Sequence, residues 1–204
     1  MKSRTVFSAY VFDFDGTLFD LPVDWKAVRR DLFAMTGVRM EEVSIFRIIK
    51  ELTVTNAPLR ARLFGAIDAH ETPAAETAEP IPGAMELISS LSARAGLGLV
   101  TMQGRAACSR VLERKGVLGR FRVVLTREDS LDRSEQILAA CRALDAHPGD
   151  ALFVGDKKSD LEAGREVGAE VALVGARARK EWKPDHLFPR LQELRAFLES
   201  APAL

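Results

Sequence analysis

Four aspartates stand at the ends of two short apolar runs. Asp13 and Asp15 belong to Asp13-Phe14-Asp15-Gly16-Thr17-Leu18, directly after the apolar segment 6–12. Asp156 and Asp160 belong to Gly155-Asp156-Lys157-Lys158-Ser159-Asp160, at the end of the apolar segment 151–156. Carboxylates this close repel one another unless a cation is bound or one of them takes a proton. Brought together, they make an oxygen-rich site for a hard cation that keeps several waters, typically Mg²⁺. Each motif also has a plainer reading. Asp-Gly between apolar runs is a hairpin signal, and an aspartate at a helix start compensates the helix dipole. Those readings leave Asp156, at a strand tip after glycine, without a role. A fifth residue of interest is Thr101, which ends the run Gly98-Leu99-Val100-Thr101 just before a helical pattern. A hydroxyl there, with free backbone amides behind it, can hold phosphate oxygens.

These residues need a scaffold that brings strand ends together. Segments 6–12, 97–101, 123–126, 151–156 and 171–174 are near-continuous apolar runs, as expected for strands buried on both faces of a parallel sheet. Helical patterns separate them. Residues 84–94 align Leu87, Ile88 and Leu91, residues 109–115 carry Val111 and Leu112, and residues 134–144 align Ile137, Leu138, Cys141 and Leu144. Ser159 with Glu162 has the spacing of a capping box for a helix that Gly168 can end. Strand and helix alternate from Pro82 onward. The predicted fold is therefore α/β: a doubly wound, mainly parallel five-stranded sheet, with residues 1–20 and 81–204 forming one core.

Residues 21–80 break the alternation. Asp24 can cap a helix that turns Trp25, Val28, Leu32 and Met35 inward and closes at Gly37. Ile45, Ile48, Ile49 and Leu52 mark a second helix, and Leu59, Leu63, Ala66 and Ile67 a third, opened by Asn56 and Pro58. Residues 72–82, rich in Ala, Glu, Thr and Pro, read as a linker. A small helical cap is thus inserted after the first strand.

Composition narrows the function. With 29 basic and 29 acidic residues the formal charge is zero, so no global field recruits nucleic acid or an anionic membrane. No apolar stretch is long enough to span a bilayer, and the acids at 13 and 15 interrupt the N-terminal apolar run, so the cytoplasm is the expected location. Cys108 and Cys141 lack CxxC spacing and read as small buried apolar residues. His70, His147 and His186 form no metal-binding or triad spacing.

The order Asp-x-Asp-Gly-Thr-Leu, then a strand ending in Thr, then Gly-Asp-x-x-x-Asp resembles the haloacid dehalogenase-like (HAD) superfamily, in its phosphatase-like branch of phosphoglycolate phosphatase and β-phosphoglucomutase type. The resemblance spans the sheet residues of nearly the whole chain outside residues 21–80. It implies a Mg²⁺-dependent phosphatase acting on a small phosphorylated metabolite. Asp13 then corresponds to the nucleophile that becomes an aspartyl-phosphate, and Asp15 to the general acid/base. Asp13, the backbone carbonyl of Asp15 and Asp156 correspond to the Mg²⁺ ligands, with Asp160 supporting the ion from behind. Thr101 corresponds to a phosphate-binding residue, and the insertion to a cap that chooses the substrate.

Two departures bear on the site. The family's lysine ahead of the last motif is missing, since no lysine lies between Lys115 and Lys157. Arg133 is the expected replacement, with Arg127 as the alternative. Met102 stands after Thr101 where the family usually has asparagine. Two other functions fit the same motifs: a phosphomutase using the same intermediate, and a catalytically silent protein that senses a phosphometabolite or binds a partner. A dehalogenase fits less well, because carbon–halogen cleavage has no use for the acid at position 15. Trp25, Arg29, Arg30, Arg47 and Lys50 are the cap residues that could line an anion pocket.

Overall fold

The computed structural model of the chain describes residues 6–40 and 44–200. Its centre is a six-stranded sheet of β1 (Ala9–Asp13), β4 (Gly96–Val100), β5 (Val123–Leu125), β6 (Ala151–Gly155), β7 (Glu170–Val174) and β8 (His186–Phe188). The order is β5-β4-β1-β6-β7-β8, with every pairing parallel. β1 lies between two neighbours: Ala9 pairs with Gly96 on one side and Ala151 on the other. All five residues of β1, and all five of β6, are buried, as continuous apolar runs require in a sheet covered on both faces.

Helices α4 (Ala84–Ser92), α5 (Arg105–Arg114), α6 (Arg133–Ala143), α7 (Lys158–Glu166) and α8 (Leu191–Glu199) cover the sheet. One core cluster gathers Phe12, Leu99, Leu152 and Ala172 with Leu87, Val111 and Leu194; a second joins Val11, Val100 and Phe153 with Ile137 and Cys141. Alternate residues of one strand thus enter opposite layers, which is the α/β doubly wound class expected from the sequence.

The helical segment expected after β1 consists of α1 (Trp25–Thr36), α2 (Ile45–Leu52) and α3 (Ala57–Thr77). Asp24 Oδ1 caps α1, accepting from the amides of Lys26 and Ala27 at 3.0 and 3.1 Å. Asn56 does the same for α3 through Leu59 N–H. Val28, Leu32, Ile45, Ile49, Leu63 and Ile67 form an apolar cluster separate from the two under the sheet. A short antiparallel pair, β2 (Phe19–Asp20) with β3 (Glu79–Pro80), holds the chain's way into this segment beside its way out.

Four local expectations are corrected. The sheet has a sixth strand, β8. The first strand begins at Ala9, three residues later than residue 6. The stretch 72–82 is not a linker up to Pro80: α3 continues through Pro73 to Thr77, since Ala and Glu favour helix and Ala74 and Ala75 are buried among α4 and α5 residues in the larger core cluster. The capping box of α7 is not Ser159 with Glu162. The helix starts two residues earlier, with Lys157 as its cap and Asp160 Oδ2 accepting the Lys157 N–H at 3.0 Å; Glu162 instead pairs with Lys158 at 3.2 Å.

Candidate active site

Strands β4 and β5 lie on one side of β1 and β6 to β8 on the other, so the winding direction reverses between β1 and β6. A crevice opens beyond the carboxyl ends of strands at such a point. Asp13 ends β1 there and Asp156 directly follows β6; Asp160 lies in the first turn of α7. All three are buried, Asp13 at 2% exposure and the other two at 1%, and one carboxylate oxygen from each falls within 4.8 Å of the others.

Local backbone geometry makes this approach feasible. Gly16 turns the chain after Asp15 with φ +87°, and a Cβ there would sit 2.5 Å from Asp156 Oδ2. At Gly155 a Cβ would meet the Asp160 side chain at 2.5 Å. Any side chain at either position would push the carboxylates apart.

Each acid has its own surroundings. Asp13 Oδ1 is 2.9 Å from Arg133 Nη2, and Thr17 Oγ1 donates to Asp13 Oδ2 at 3.4 Å. Asp15 accepts the Leu21 N–H at 3.1 Å. Burial pushes the Asp15 carboxyl above the ordinary range against the pull of Lys157, with Asp13 adding to the rise. Asp156 is likewise raised by burial; its Oδ2 takes Arg177 Nη1 at 3.0 Å, while Oδ1 accepts no hydrogen bond among the described residues. Asp160 Oδ2 accepts the amides of Asp156 and Lys157 at 3.2 and 3.0 Å, and its Oδ1 is 3.6 Å from Arg133 Nε. Burial, then the charge of Asp13, lifts the Asp160 carboxyl to about 6.

The two candidate arginines part company. Arg133 is the first residue of α6, and its guanidinium bridges Asp13 and Asp160. Arg127 is fully buried and turned toward α3. It grips Glu71 at 2.7 and 2.9 Å, pairs with Asp68 and donates to the Met102 carbonyl. Thr101 is buried at the end of β4, one residue past the Val100 that pairs with Asp13. The amides expected to be free behind it are taken: its own hydroxyl accepts the Gln103 N–H at 3.1 Å, and Glu71 Oε2 accepts the Gly104 N–H at 2.9 Å.

A cavity of about 360 Å³ opens over Asp13 and Asp15, walled by Trp25, Arg29, Phe46, Arg133, Lys157 and Arg177. Of the five cap residues singled out from the sequence, Trp25 and Arg29 line it. The other three do not: Arg30 lies 3.7 Å from Asp31, Arg47 pairs with Glu51 at 3.1 Å, and Lys50 pairs with Asp132 at 2.8 Å. Trp25 meets Phe46 edge to face at 6.2 Å, giving the cavity an aromatic wall.

Three further residues that the motifs do not mark stand at the site or support it. Lys157 could have been found, because it follows Asp156 directly; its Nζ is 3.8 Å from Asp156 Oδ1. Arg177 sits in the loop after β7, where only its place beyond a strand end marks it. Gln136 Nε2 donates to the carbonyls of Thr101, Thr126 and Ser130 at 2.9–3.0 Å, fixing the loop that delivers Arg133; nothing in the sequence marks it.

Comparison with known proteins adds to this geometry. Residues 10–174 match the family described as haloacid dehalogenase-like hydrolase. N-acetylmuramic acid 6-phosphate phosphatase of Pseudomonas aeruginosa is 29% identical over 191 residues, covering 84% of this chain and 83% of that protein. Phosphoglycolate phosphatase of Xylella fastidiosa is 24% identical over 200 residues, covering 87% and 86%. A crystal structure of a predicted phosphatase from Clostridium acetobutylicum has a TM-score of 0.75 over 96% of this chain and 100% of that one; at 17% identity the likeness is one of fold.

Proposed function

The chain belongs to the haloacid dehalogenase-like hydrolase family, and from that premise we propose that it is a phosphatase cleaving a small phosphomonoester in two steps through Asp13. The observation that carries this reading is the placement of the two acids together. Asp13 is held in salt-bridge contact with Arg133 at the floor of the cavity, and beside it burial raises the Asp15 carboxyl above its ordinary range, so that Asp15 keeps a proton more readily than an exposed aspartate. A nucleophile and an acid are thereby set side by side.

In the first step a carboxylate oxygen of Asp13 attacks phosphorus, the ester P–O bond breaks, and Asp15 gives its proton to the departing alkoxide. In the second step Asp15, now a carboxylate, takes a proton from water. The water oxygen attacks phosphorus, the bond to Asp13 breaks, and inorganic phosphate leaves. Arg133 is placed to hold the phosphoryl oxygens during both transfers. Thr101 is assigned to the same group by its position at the end of β4.

The residues also fit a divalent cation. Asp156 Oδ1 is buried and accepts no hydrogen bond among the described residues, with Lys157 Nζ 3.8 Å away, and the neighbouring carboxylate donors are all oxygens. Asp13, the Asp15 carbonyl and Asp156 would hold the ion, taken here as Mg²⁺. Asp160, whose Oδ2 is already engaged by two amides, would support it from behind. Such an ion supplies charge neutralisation for the incoming phosphate.

Helices α1 to α3 are read as the cap that selects the alcohol part of the substrate, with Trp25, Arg29 and Phe46 facing it. A cytoplasmic setting belongs to the same reading, in keeping with two buried thiols, Cys108 and Cys141, that are free. The curated relatives reported above are phosphatases, which favours water over a sugar hydroxyl as the final acceptor. The test is a panel of phosphate esters that includes N-acetylmuramic acid 6-phosphate and phosphoglycolate, assayed for phosphate release with Mg²⁺ and with excess chelator. Release that is lost on chelation and restored by Mg²⁺ supports the proposal. Isomerisation of a sugar phosphate without release would indicate the mutase instead, and equal turnover in excess chelator would remove the cation.

A further inference from the structure

Lys157 follows Asp156 directly, and its backbone N–H is donated to Asp160 Oδ2 at 3.0 Å, which fixes the root of its side chain at the edge of the carboxylate cluster. From there Nζ lies 3.4 Å from the backbone oxygen of Asp15, 3.8 Å from Asp156 Oδ1 and 4.0 Å from Asp15 Oδ2. Two of these oxygens, the Asp15 carbonyl and Asp156 Oδ1, lie in the groups assigned above to the divalent cation. The remaining charges of the cluster have other cations: Arg133 serves Asp13 and Asp160, and Arg177 takes Asp156 Oδ2.

We propose that Lys157 is a tethered stand-in for the divalent cation, its ammonium drawing the Asp15 and Asp156 oxygens together in the metal-free protein and leaving them when the ion arrives. This rests on the cation reading of the site. An ammonium 3.4–4.0 Å from those oxygens and a divalent ion bound by them repel each other across a few ångströms, so each weakens the other's hold. The lysine has somewhere to go. Its side chain is 43% exposed, and a four-carbon stem lets the head group turn to solvent while the backbone anchor stays in place.

The competition predicts two effects of opposite sign when the charge is removed. Without Lys157 the metal-free cluster loses a cation and the acids repel each other, so the metal-free protein melts at a lower temperature. The ion meets no competitor, so it binds more tightly, by about tenfold for a unit charge removed at this distance in a partly solvated site. A lysine that binds the substrate's phosphate would leave metal affinity unchanged and weaken the binding of inorganic phosphate. A lysine that merely supports the fold would weaken metal binding and stability together.

The experiment uses the full chain as wild type, Lys157→Met, Lys157→Gln and Lys157→Arg. Mg²⁺ and Mn²⁺ affinities are measured by calorimetry and the thermal midpoint is measured in chelator. The expected result is tighter metal binding and a lower metal-free midpoint in both neutral variants, with the arginine variant near wild type. Unchanged or weaker metal binding in the neutral variants, with metal still bound by the wild type, overturns the stand-in role and leaves the phosphatase reading intact. A wild type that takes up no divalent ion would overturn this inference together with the cation assignment on which it rests.

Discussion

Arg133→Ala is the substitution whose consequence follows most directly from the geometry. The guanidinium is 16% exposed, lies 2.9 Å from Asp13 Oδ1 and 3.6 Å from Asp160 Oδ1, and faces the cavity. An incoming phosphate adds negative charge beside Asp13 and Asp156, more than one divalent ion neutralises, so a fixed second cation is needed during transfer. Losing a charge-assisted contact of this kind costs about 3 kcal/mol of transition-state stabilisation, on the order of a hundredfold in kcat/KM. Arg133→Lys should recover part of the loss, because it keeps the charge without the fork. Arg127→Ala is the informative comparison. From the sequence alone it should behave like wild type, but its guanidinium is buried against Glu71, and removing it strands a buried carboxylate, at a cost of roughly 3–5 kcal/mol in folding stability. Steady-state kinetics at saturating Mg²⁺, paired with urea unfolding, separates the two. Arg133→Ala should lose rate, whereas Arg127→Ala should lose stability and keep the rate of its folded fraction. An Arg133→Ala enzyme with wild-type kcat/KM would refute the assignment, and a hundredfold loss in well-folded Arg127→Ala would transfer the role.

Asp15→Asn should lower turnover by about two to four orders of magnitude, the usual worth of a general acid/base, while calorimetric Mg²⁺ affinity stays near wild type because the backbone carbonyl is retained. Asp132→Ala should destabilise the protein by about 1–2 kcal/mol in urea unfolding, since that carboxylate caps α6 through Ser134 and Glu135 and pairs with Lys50 of α2. The hydrogen bond from Lys50, then that from Ser134, holds the Asp132 carboxyl at about 2. A lowered folded-state pKa means the stabilisation is fully present above the ordinary aspartate range and is lost as pH falls toward 2, so the gap between wild type and variant should close in acid.

The parts of the fold that the sequence makes legible are those where burial leaves one solution. β1, β4 and β6 lie under helices on both faces, so each is an unbroken apolar run whose end can be read to within a residue or two. β8 escapes because it is three residues long and contributes His186, which pairs with Glu170 across to β7, where a hydrophobic run would be sought. The continuation of α3 through Pro73 escapes because proline and threonine suggest a break, whereas packing of Ala74 and Ala75 beside α5 decides for helix. At the site, the carboxylates announce themselves by spacing. The cations that answer them do not. Lys157 and Arg177 look like any surface base in the sequence, and Arg133 is marked there only by its place ahead of the last motif; the fold then separates it, in the crevice, from Arg127 under α3. The same holds in the cap, where Arg47 and Lys50 are taken up by Glu51 and Asp132 and never reach the cavity.

Passage of the phosphoryl group through Asp13 can be seen directly. Protein quenched in acid during turnover of a good substrate, digested and examined by mass spectrometry, should carry one phosphoryl group on the peptide containing Asp13. That species should be absent from Asp13→Asn, which should also release no phosphate. Steady phosphate release by Asp13→Asn, or a phosphoryl group trapped on some other residue, would show that Asp13 is not the nucleophile.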